Sequence, residues 1–587
     1  MENADVARLL SETGDLLELT AGNAFKVRAY RQAAQVVDTL PTPVAELIRT
    51  GGLSEVPTIG PRIAEHIGEM LERGDFDEHE RLAARVPAGV LPMLAVPGLG
   101  PKTTAALWKK LHVVGVAALE DACRSGRILD LPRMGRKRAE SILEAMEGHL
   151  AREGRIPLHR AIAHAERFLD ILRSVPGVVA AEAAGSVRRR RETVGDLDLL
   201  LATLDPDPVV RAFTKARDVA TVLAKGPTRC TVRLKGGLQI DLRVVSPSSF
   251  GAALHYFTGS KTHNIALRTR AVRLGLKLNE YGVFDRRGRR LGGAREEDVF
   301  RAVGLPFIPA ELREGAGEIE AAEKGRLPRL LEEEDLQGDL HVHSRASSDA
   351  RSTLPELLAE GRRLGRGYLA ITDHSRSRPL GLDDEHLARQ AAAIRELDRR
   401  HGGRPRLLTG VEVDILRDGS LDLAPDALAG LDCVVASVHS HFKDSAARMT
   451  DRLATALRSG VVHVLGHPSG RQIGHRDAYG FDLTRVLDAA REAGAALELN
   501  AQPDRLDLND KNCRLAKEAG VPVAISSDAH LASQLANLRY GVFVARRGWL
   551  EKGDVLNTLP VAELRRRLGS RGARSSGKTR AHKGVTT

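Results

Sequence analysis

From residue 338 to about residue 560, short apolar, β-branched runs alternate with charged segments of helical spacing. This alternation limits the fold more than any other feature of the chain. The runs are YLAITDH, RLLTGVEVDI, CVVASVHS, VVHVLGHP, AALELNA and VPVAISSDAH. A short apolar run bounded by helical segments reads as a strand of a parallel sheet whose two faces helices cover. The rhythm predicts a β/α barrel or an open α/β layer. Such folds build their sites just past the strand ends. Polar residues cluster there: His341 and His343, then Asp349, His374, Glu412, His439, His467, Asp528 and His530. Residues two apart on a strand share a face, so His341 and His343 point one way. A lone histidine at a strand end is ordinarily a core residue. Nine ordered imidazole and carboxylate donors suit two or three metal ions, and imidazole favours Zn2+ or Mn2+ over Mg2+ alone. A bridging hydroxide in such a site can attack a phosphodiester.

Between residues 155 and about 310 the chain changes character. VGDLDLLLAT, TRCTVRLKG and LQIDLRVV read as strands among helices, an α/β or α+β region. GSVRRRRETVGDLDLL holds Asp196 and Asp198, two apart and so on one strand face. Asp241 lies in a second such strand. Surface turns also carry paired acids, but not acids recurring inside two apolar strands. Three clustered carboxylates repel one another unless cations sit between them. Two Mg2+ or Mn2+ ions satisfy that need and suit phosphoryl transfer. Gly185 and Ser186 precede the pair and offer N–H and hydroxyl donors to a triphosphate, and Arg189 adds charge.

Residues 1 to about 150 read as short helices between Gly/Pro turns. SEVPTIGPRIAEHI, LAVPGLGPKTTAALW and LPRMGRKRAESIL each set a glycine turn before a helix. One such turn is an ordinary loop. Three copies, with Gly60, Gly98, Gly100 and Gly135 in the turns and Lys102 and Lys137 beside them, suit a DNA backbone gripped without sequence readout. The charge agrees: 88 Lys and Arg against 77 Asp and Glu leave +11, which favours a polyanionic partner. Aromatics are 3% of residues, so base stacking is not the main grip. Cys123, Cys230, Cys433 and Cys513 form no CxxC pair, which predicts no disulfide framework and a reducing compartment. Neither a signal peptide nor a spanning apolar run is visible, so a soluble cytoplasmic protein without membrane contact is expected.

The first half resembles the family X DNA polymerases over about residues 1–315. The resemblance rests on GSVRRRRETVGDLDLL, IDLRVV, YFTGSKTHNIALR and LNEYGVF, in that order. It implies that Asp196, Asp198 and Asp241 are the metal-binding catalytic triad, with Arg243 beside the primer end. It implies Ser186, Arg189 and Gly195 at the nucleotide phosphates and Tyr256, Phe257 and Gly259 against its sugar. Asn264 matches the residue near the minor-groove edge of the base, and Arg268 one on the template strand. The family's helical N-terminal domain binds the 5′ side of a gap. In animal members it carries the Schiff-base lysine of an abasic-site lyase. Here His66 stands at that position and Arg62 at the neighbouring lysine position. Neither easily forms a Schiff base, which argues against a lyase of that type; Lys26 is left as a substitute.

The second half resembles the PHP (polymerase and histidinol phosphatase) phosphoesterases over about residues 336–570. This implies a distorted (β/α)7 barrel and a trinuclear site held by His341, His343, His374, Glu412, His439, His467, Asp528 and His530. In the usual first motif, H-x-H-S/T-x-x-S-D-G, the acid would fall at 348. Here Ser348 precedes Asp349 and Ala350 follows it, so the segment is one residue longer.

Together the resemblances imply a multidomain chain. An all-α helix-hairpin-helix region comes first, as a DNA-binding domain (1–90) and a fingers-like region (91–150). An α+β nucleotidyltransferase palm (151–245) and a nucleotide-selecting, thumb-like subdomain (246–315) follow. A linker (316–337), the PHP domain (338–570) and a basic, disordered tail (571–587) complete it. The implied enzyme is a monomer that fills short gaps in gapped or nicked DNA from dNTPs, alongside other repair proteins. Its PHP part is a 3′-5′ exonuclease, with abasic-site endonuclease or 3′-phosphatase activity in some relatives. Mg2+ or Mn2+ would serve the first site, and up to three Mn2+ or Zn2+ ions the second. Two rivals are a PHP phosphatase fused to an inert DNA-binding half and a non-catalytic scaffold for DNA ends. The complete carboxylate triad and the full set of metal-ligand positions speak against both.

Overall fold

Gly60 and Gly100 each precede a proline at the first position of a helix, where the missing N–H breaks no hydrogen bond. The helices are Pro61–Arg73 and Pro101–Leu111. Both glycines have ordinary negative φ, and a Cβ at either would meet nothing within 4 Å. The backbone therefore does not demand glycine there, and no capping side chain covers either helix start. In this computed structural model, residues 3–39, 44–50, 52–56, 59–87, 89–94, 96, 99–131, 134–136, 138–139, 142–143, 155–235, 237–474 and 476–569 are described. The chain divides into two units, Met1–Glu153 and Gly154–Thr587.

The first unit is helical. Asn3–Leu19 and Ala24–Thr39 pack with Pro61–Arg73 around Leu10, Leu16, Ile67 and Met70. A second core gathers Met93, Leu99, Leu107, Leu119 and Ile142. Gly98, Lys137 and residues 571–587 lie outside the described residues.

The second unit begins with β1 (Ile156–Pro157), β2 (Ala180–Ala183), β3 (Thr193–Val194), β4 (Asp196–Ala202), β5 (Val219–Lys225), β6 (Arg229–Leu234) and β7 (Gln239–Val245). β1 and β3 pair with each other; the rest form one sheet in the order β2-β4-β7-β6-β5. Only the central pair, β4 and β7, runs parallel. Helices Leu158–Arg173 and Pro206–Thr214 close its core through Phe168 and Phe213. Next comes a small antiparallel sheet of β8 (Lys277–Asn279), β9 (Gly282–Phe284) and β10 (Arg290–Gly292), packed with helices Phe250–Thr258, Lys261–Arg273 and Glu296–Ala302.

Residues 316–337, expected as a linker, are packed. Helix Glu318–Glu323 places Ile319 and Ala322 in the core around Phe300, while Leu331 and Leu336 enter the barrel core. The charged residues around these apolar positions hid them in the sequence.

Seven parallel strands follow in consecutive order: β11 (Gly338–Val342), β12 (Tyr368–Ile371), β13 (Arg406–Asp414), β14 (Cys433–Ser437), β15 (Val464–Leu465), β16 (Ala496–Asn500) and β17 (Val523–Ser526). Val342 bridges Ala529 in parallel, and the Ser527 N–H donates to Asp339 at 3.1 Å, so the first and last strands meet in a nearly closed barrel. The four cysteines are buried free thiols. No helix among the described residues is long and apolar enough to cross a membrane.

Candidate active sites

The parallel register of β4 and β7 sets Asp198 level with Asp241, and Asp196 shares the face of Asp198 two residues earlier. Asp241 is buried and accepts from Thr231 Oγ1 (2.5 Å) and Gln239 Nε2 (2.8 Å). Burial, and then the charges of Asp196 and Asp241, push the Asp198 carboxyl up to about 7. Mutually repelling, partly buried carboxylates are stabilised as anions by a cation between them, so the three residues fit divalent metal. Gly185 must be glycine here: its φ is +58°, and a Cβ would collide with the Asp198 carboxylate.

Asp196, Asp198 and Gly185 line a cleft of about 960 Å3. Gly185, Ser186, Arg189, Gly195, Asp196, Asp198, Tyr256, Phe257, Gly259, Asn264 and Arg268 all line it. Asp241 and Arg243 stand on the neighbouring strand; the Arg243 guanidinium lies 5.1 Å from the centre of the Phe257 ring. Arg268 lies 5.4 Å from the Tyr256 ring centre, and Asn264 Nδ2 donates to Tyr256 O at 2.8 Å. The Arg189 guanidinium is turned to the thumb, where it bonds Glu314 (2.9 Å) and the Thr258 carbonyl. Arg155, Arg191 and Lys261 also line the cleft, and the sequence reading did not single them out.

In the barrel, every expected donor is carried at or just beyond a strand end. Glu412 is the hub. Its Oε2 lies 2.8 Å from His374 Nδ1, 3.5 Å from His341 Nε2 and 3.6 Å from His343 Nε2. Its Oε1 lies 3.0 Å from His467 Nε2 and 3.4 Å from His439 Nε2. Asp528 lies 3.2 Å from His343 and 3.6 Å from both His341 and His530. The one-residue offset does not remove Asp349: its oxygens reach His374 Nε2 at 3.3 Å and His530 Nε2 at 3.6 Å.

Three overlapping groups have ligand atoms close enough to share an ion: His343, His374 and His530; His341, His343 and Asp528; His374, Glu412 and His439. Asp349 and His467 fall outside these groups while contacting their members. The Nε2 atoms of His341 and His343 are buried without a hydrogen-bond partner among the described residues. Buried polar atoms ordinarily find partners, so this convergence fits metal ions. Burial and then the neighbouring His530 and His374 lower His343 to about 3. Burial also disfavours the His374 cation, but Glu412 and Asp349 outweigh it and raise His374 to about 10. His467 and Asp528 hold positive φ of 25° and 49°, strain of the kind that concentrates at functional sites.

Helix-hairpin-helix models match residues 1–76 and 90–147, the latter as a SAM-like tandem. The DNA polymerase beta thumb matches residues 253–314, and the PHP domain residues 339–502. The DNA polymerase/3′-5′ exonuclease PolX of Bacillus subtilis (strain 168) is 37% identical over 569 residues, covering 96% of this chain and 99% of the relative. The chain belongs to the family X DNA polymerases that carry a PHP domain. A probable phosphatase of Thermoanaerobacter sp. (strain X514) is 32% identical over 38% of this chain and 89% of its own length. One of Shewanella sp. (strain ANA-3) is 31% identical over a similar share.

As a family X polymerase, the chain has a metal-dependent palm and a metal-dependent PHP barrel. The barrel adds outer contacts that the sequence reading passed over. Glu498 holds His341 Nδ1 at 2.7 Å and accepts the His467 backbone N–H at 2.6 Å. Asp414 holds His439 Nδ1 at 3.1 Å, and Asn500 donates to Asp528 at 3.0 Å. Such partners orient imidazoles and tune their basicity. Glu498 had a visible signal, an acid inside the apolar run AALELNA.

In the N-terminal unit His66 is buried, and its Nδ1 lies 2.9 Å from the Tyr30 hydroxyl. Glu78 gathers Tyr30 (3.2 Å), Lys26 (3.4 Å) and Arg62 (3.4 Å). The lyase positions of the resemblance thus form one polar cluster around Glu78.

Proposed function

We propose that this chain fills short gaps in DNA as a DNA-directed polymerase and trims 3′ ends as an exonuclease, in two separate sites. The observation that carries the polymerase reading is the register of Asp241 with Asp198, which lines a cleft that also presents Arg268, Lys261 and Arg191. Asp196, Asp198 and Asp241 would hold Mg2+ or Mn2+, which when bound acidifies a primer 3′-hydroxyl and neutralises the triphosphate. The chain's own residues position the reactants. Gly185 and Gly195 let the backbone approach the phosphates, Ser186 and Arg189 offer them donors, and Tyr256, Phe257 and Gly259 wall the sugar. Asn264 faces the base edge, Arg268 the template and Arg243 the primer end. The 3′ oxygen gains the nucleoside monophosphate, and pyrophosphate leaves.

The barrel residues His341, His343, Asp349, His374, Glu412, His439, His467, Asp528 and His530 would hold up to three Mn2+ or Zn2+ ions. With them, water cleaves the terminal phosphodiester and releases a 3′ nucleotide. Abasic-site cleavage and 3′-phosphate removal are the same chemistry on other leaving groups. Gly60, Gly98, Gly100 and Gly135, with Lys102 and Lys137, would bind the DNA backbone at helix starts. We read the protein as a monomer acting on gapped or nicked DNA in the cytoplasm, beside other repair proteins.

The test is a 5′-phosphorylated one-nucleotide-gapped duplex with labelled primer, incubated with Mn2+ with and without dNTPs. Template-matched extension should vanish only in Asp196→Ala, and 3′ shortening only in His341→Ala. If no form of the protein extends the primer, the polymerase reading is wrong.

A further inference from the structure

One arginine of the PHP domain, Arg547, bonds a residue that lines the polymerase cleft. Helix Leu538–Arg547 follows the last barrel strand and packs Leu538, Val542 and Ala545 into the barrel core. Its other face turns to the palm, where Tyr540 and Phe543 pack against the palm core. Arg547 ends this helix and is almost wholly buried. One arm donates to the Arg189 carbonyl at 2.7 Å and to Glu314 Oε1 at 3.0 Å; the other reaches Asp510 at 2.6 Å. Glu314 Oε1 is the same oxygen that the Arg189 Nε holds at 2.9 Å. Glu314 therefore has two guanidinium partners, one from the palm and one from the PHP domain, and it lines the nucleotide cleft.

The arrangement bears on how Arg189 becomes available. A triphosphate in the cleft competes with Glu314 for Arg189. If Arg189 were the sole partner, its departure would leave a half-buried carboxylate unpaired, which is costly. Arg547 removes that cost because it stays on Glu314. We infer that Arg547 is a positioning residue for nucleotide binding: it holds Glu314 in place of Arg189 and so releases Arg189 to the triphosphate. The inference rests on the reading of this cleft as a dNTP site.

Two consequences separate this role from simple support of the fold. Without Arg547, Glu314 keeps only Arg189, so the KM for dNTP should rise about tenfold, equivalent to about 1.4 kcal/mol. Removing the charge of Glu314 in that background should reverse the change, because nothing then detains Arg189. A residue that only held the domains together would show no such rescue.

The experiment uses the full-length chain on the one-nucleotide-gapped duplex. It measures KM and kcat for the matched dNTP, with 3′ shortening on the same preparations as a check of folding. Arg547→Met should raise KM about tenfold with kcat changed less than threefold and 3′ shortening within twofold. Arg547→Lys, which keeps the charge, should fall between it and the unaltered protein. Arg547→Met with Glu314→Gln should return KM to within about threefold of the unaltered value. An unmoved KM in Arg547→Met overturns the inference, as does a double variant no better than Arg547→Met. So does loss of shortening in parallel with extension, which would show a structural role. In each of those cases the unaltered protein still extends the primer and the polymerase reading stands. Failure of the unaltered protein to extend overturns that reading and the inference with it.

Discussion

Glu296→Gln should loosen the thumb from the palm by about 3 kcal/mol, a magnitude set by one buried ion cluster. Glu296 bonds Arg188 through both oxygens, at 2.8 and 2.7 Å, and Arg313 at 2.6 Å. Arg313 is fully buried, and the Glu296 side chain is 6% exposed, so solvent screens the cluster little. Burial alone would raise the Glu296 carboxyl, but hydrogen bonds and charge from Arg188 and Arg313 hold it down at about 2 against an ordinary 4.5. A tenfold change in proton affinity is about 1.4 kcal/mol, so this gap stabilises the fold at neutral pH by about 3 kcal/mol. Loss of one partner from a buried pair costs a similar 3–5 kcal/mol. Because the folded value is depressed, the stabilisation is complete above about pH 4.5 and is lost as pH falls through about 2. Glutamine keeps the volume and removes the charge, leaving Arg313 buried opposite a neutral amide. The assay is amide hydrogen exchange by mass spectrometry over helices Phe250–Thr258 and Glu296–Ala302 at pH 7, backed by urea midpoints between pH 7 and pH 3. Protection should fall about a hundredfold in the variant, and the urea difference should narrow below pH 4.5. Protection within threefold of the unaltered protein would refute the reasoning.

Three further outcomes follow from the two sites. Gly185→Ala should lower extension at least about tenfold while leaving 3′ shortening intact, since positive φ costs a non-glycine residue about 1–3 kcal/mol and the methyl meets Asp198; paired rates on one preparation check this, and extension within twofold would contradict it. Asp349→Ala should slow 3′ shortening about 10- to 100-fold and Glu412→Ala by more, because Asp349 touches two imidazoles and Glu412 five; equal rates in the two variants would show that the offset acid is as central as the hub. Chelation should lower the thermal midpoint of the barrel and Mn2+ or Zn2+ should restore it, the metal stabilising the fold by up to about 4 kcal/mol at a thousandfold excess over the dissociation constant; calorimetry showing no change on either step would count against a metal centre.

The barrel was legible because its constraints are local. Buried parallel strands are short apolar runs, so pattern alone places His341, His374, His439 and His467 at or just past strand ends. What lay beyond reach was pairing across strands. Asp414 reads as one more acid after Glu412, yet it bonds His439 from the strand before. The one-residue excess before Asp349 likewise left its position open, because chain length does not say which way a loop bulges. In the structure the carboxylate still reaches His374 and His530. Residues 316–337 misled for the opposite reason: dense charge concealed a few apolar anchors, and those anchors decide where the segment packs.

The palm shows the limit most sharply in its run of four arginines. Residues 188 to 191 are chemically identical in the sequence, and no periodicity separates them. In the fold they have four different surroundings. Arg188 turns back to Glu296 and the Thr258 hydroxyl, clamping palm to thumb. Arg189 meets Glu314 at the rim of the cleft. Arg190 takes a left-handed φ of 56° and stacks its guanidinium 4.2 Å from the centre of the PHP-domain Phe543 ring. That turn of the backbone swings Arg191 into the cleft. Each fate depends on a partner more than a hundred positions away for Arg188, Arg189 and Arg190, so the sequence states the charge of the segment and the tertiary fold divides it among tasks. A resemblance transfers the identity of Arg189 to its matched position, but the side chain's present partner is set by Glu314 and Arg547. A nucleotide that used Arg189 would have to win it from an anion already in the cleft, which would make thumb and PHP residues part of nucleotide affinity.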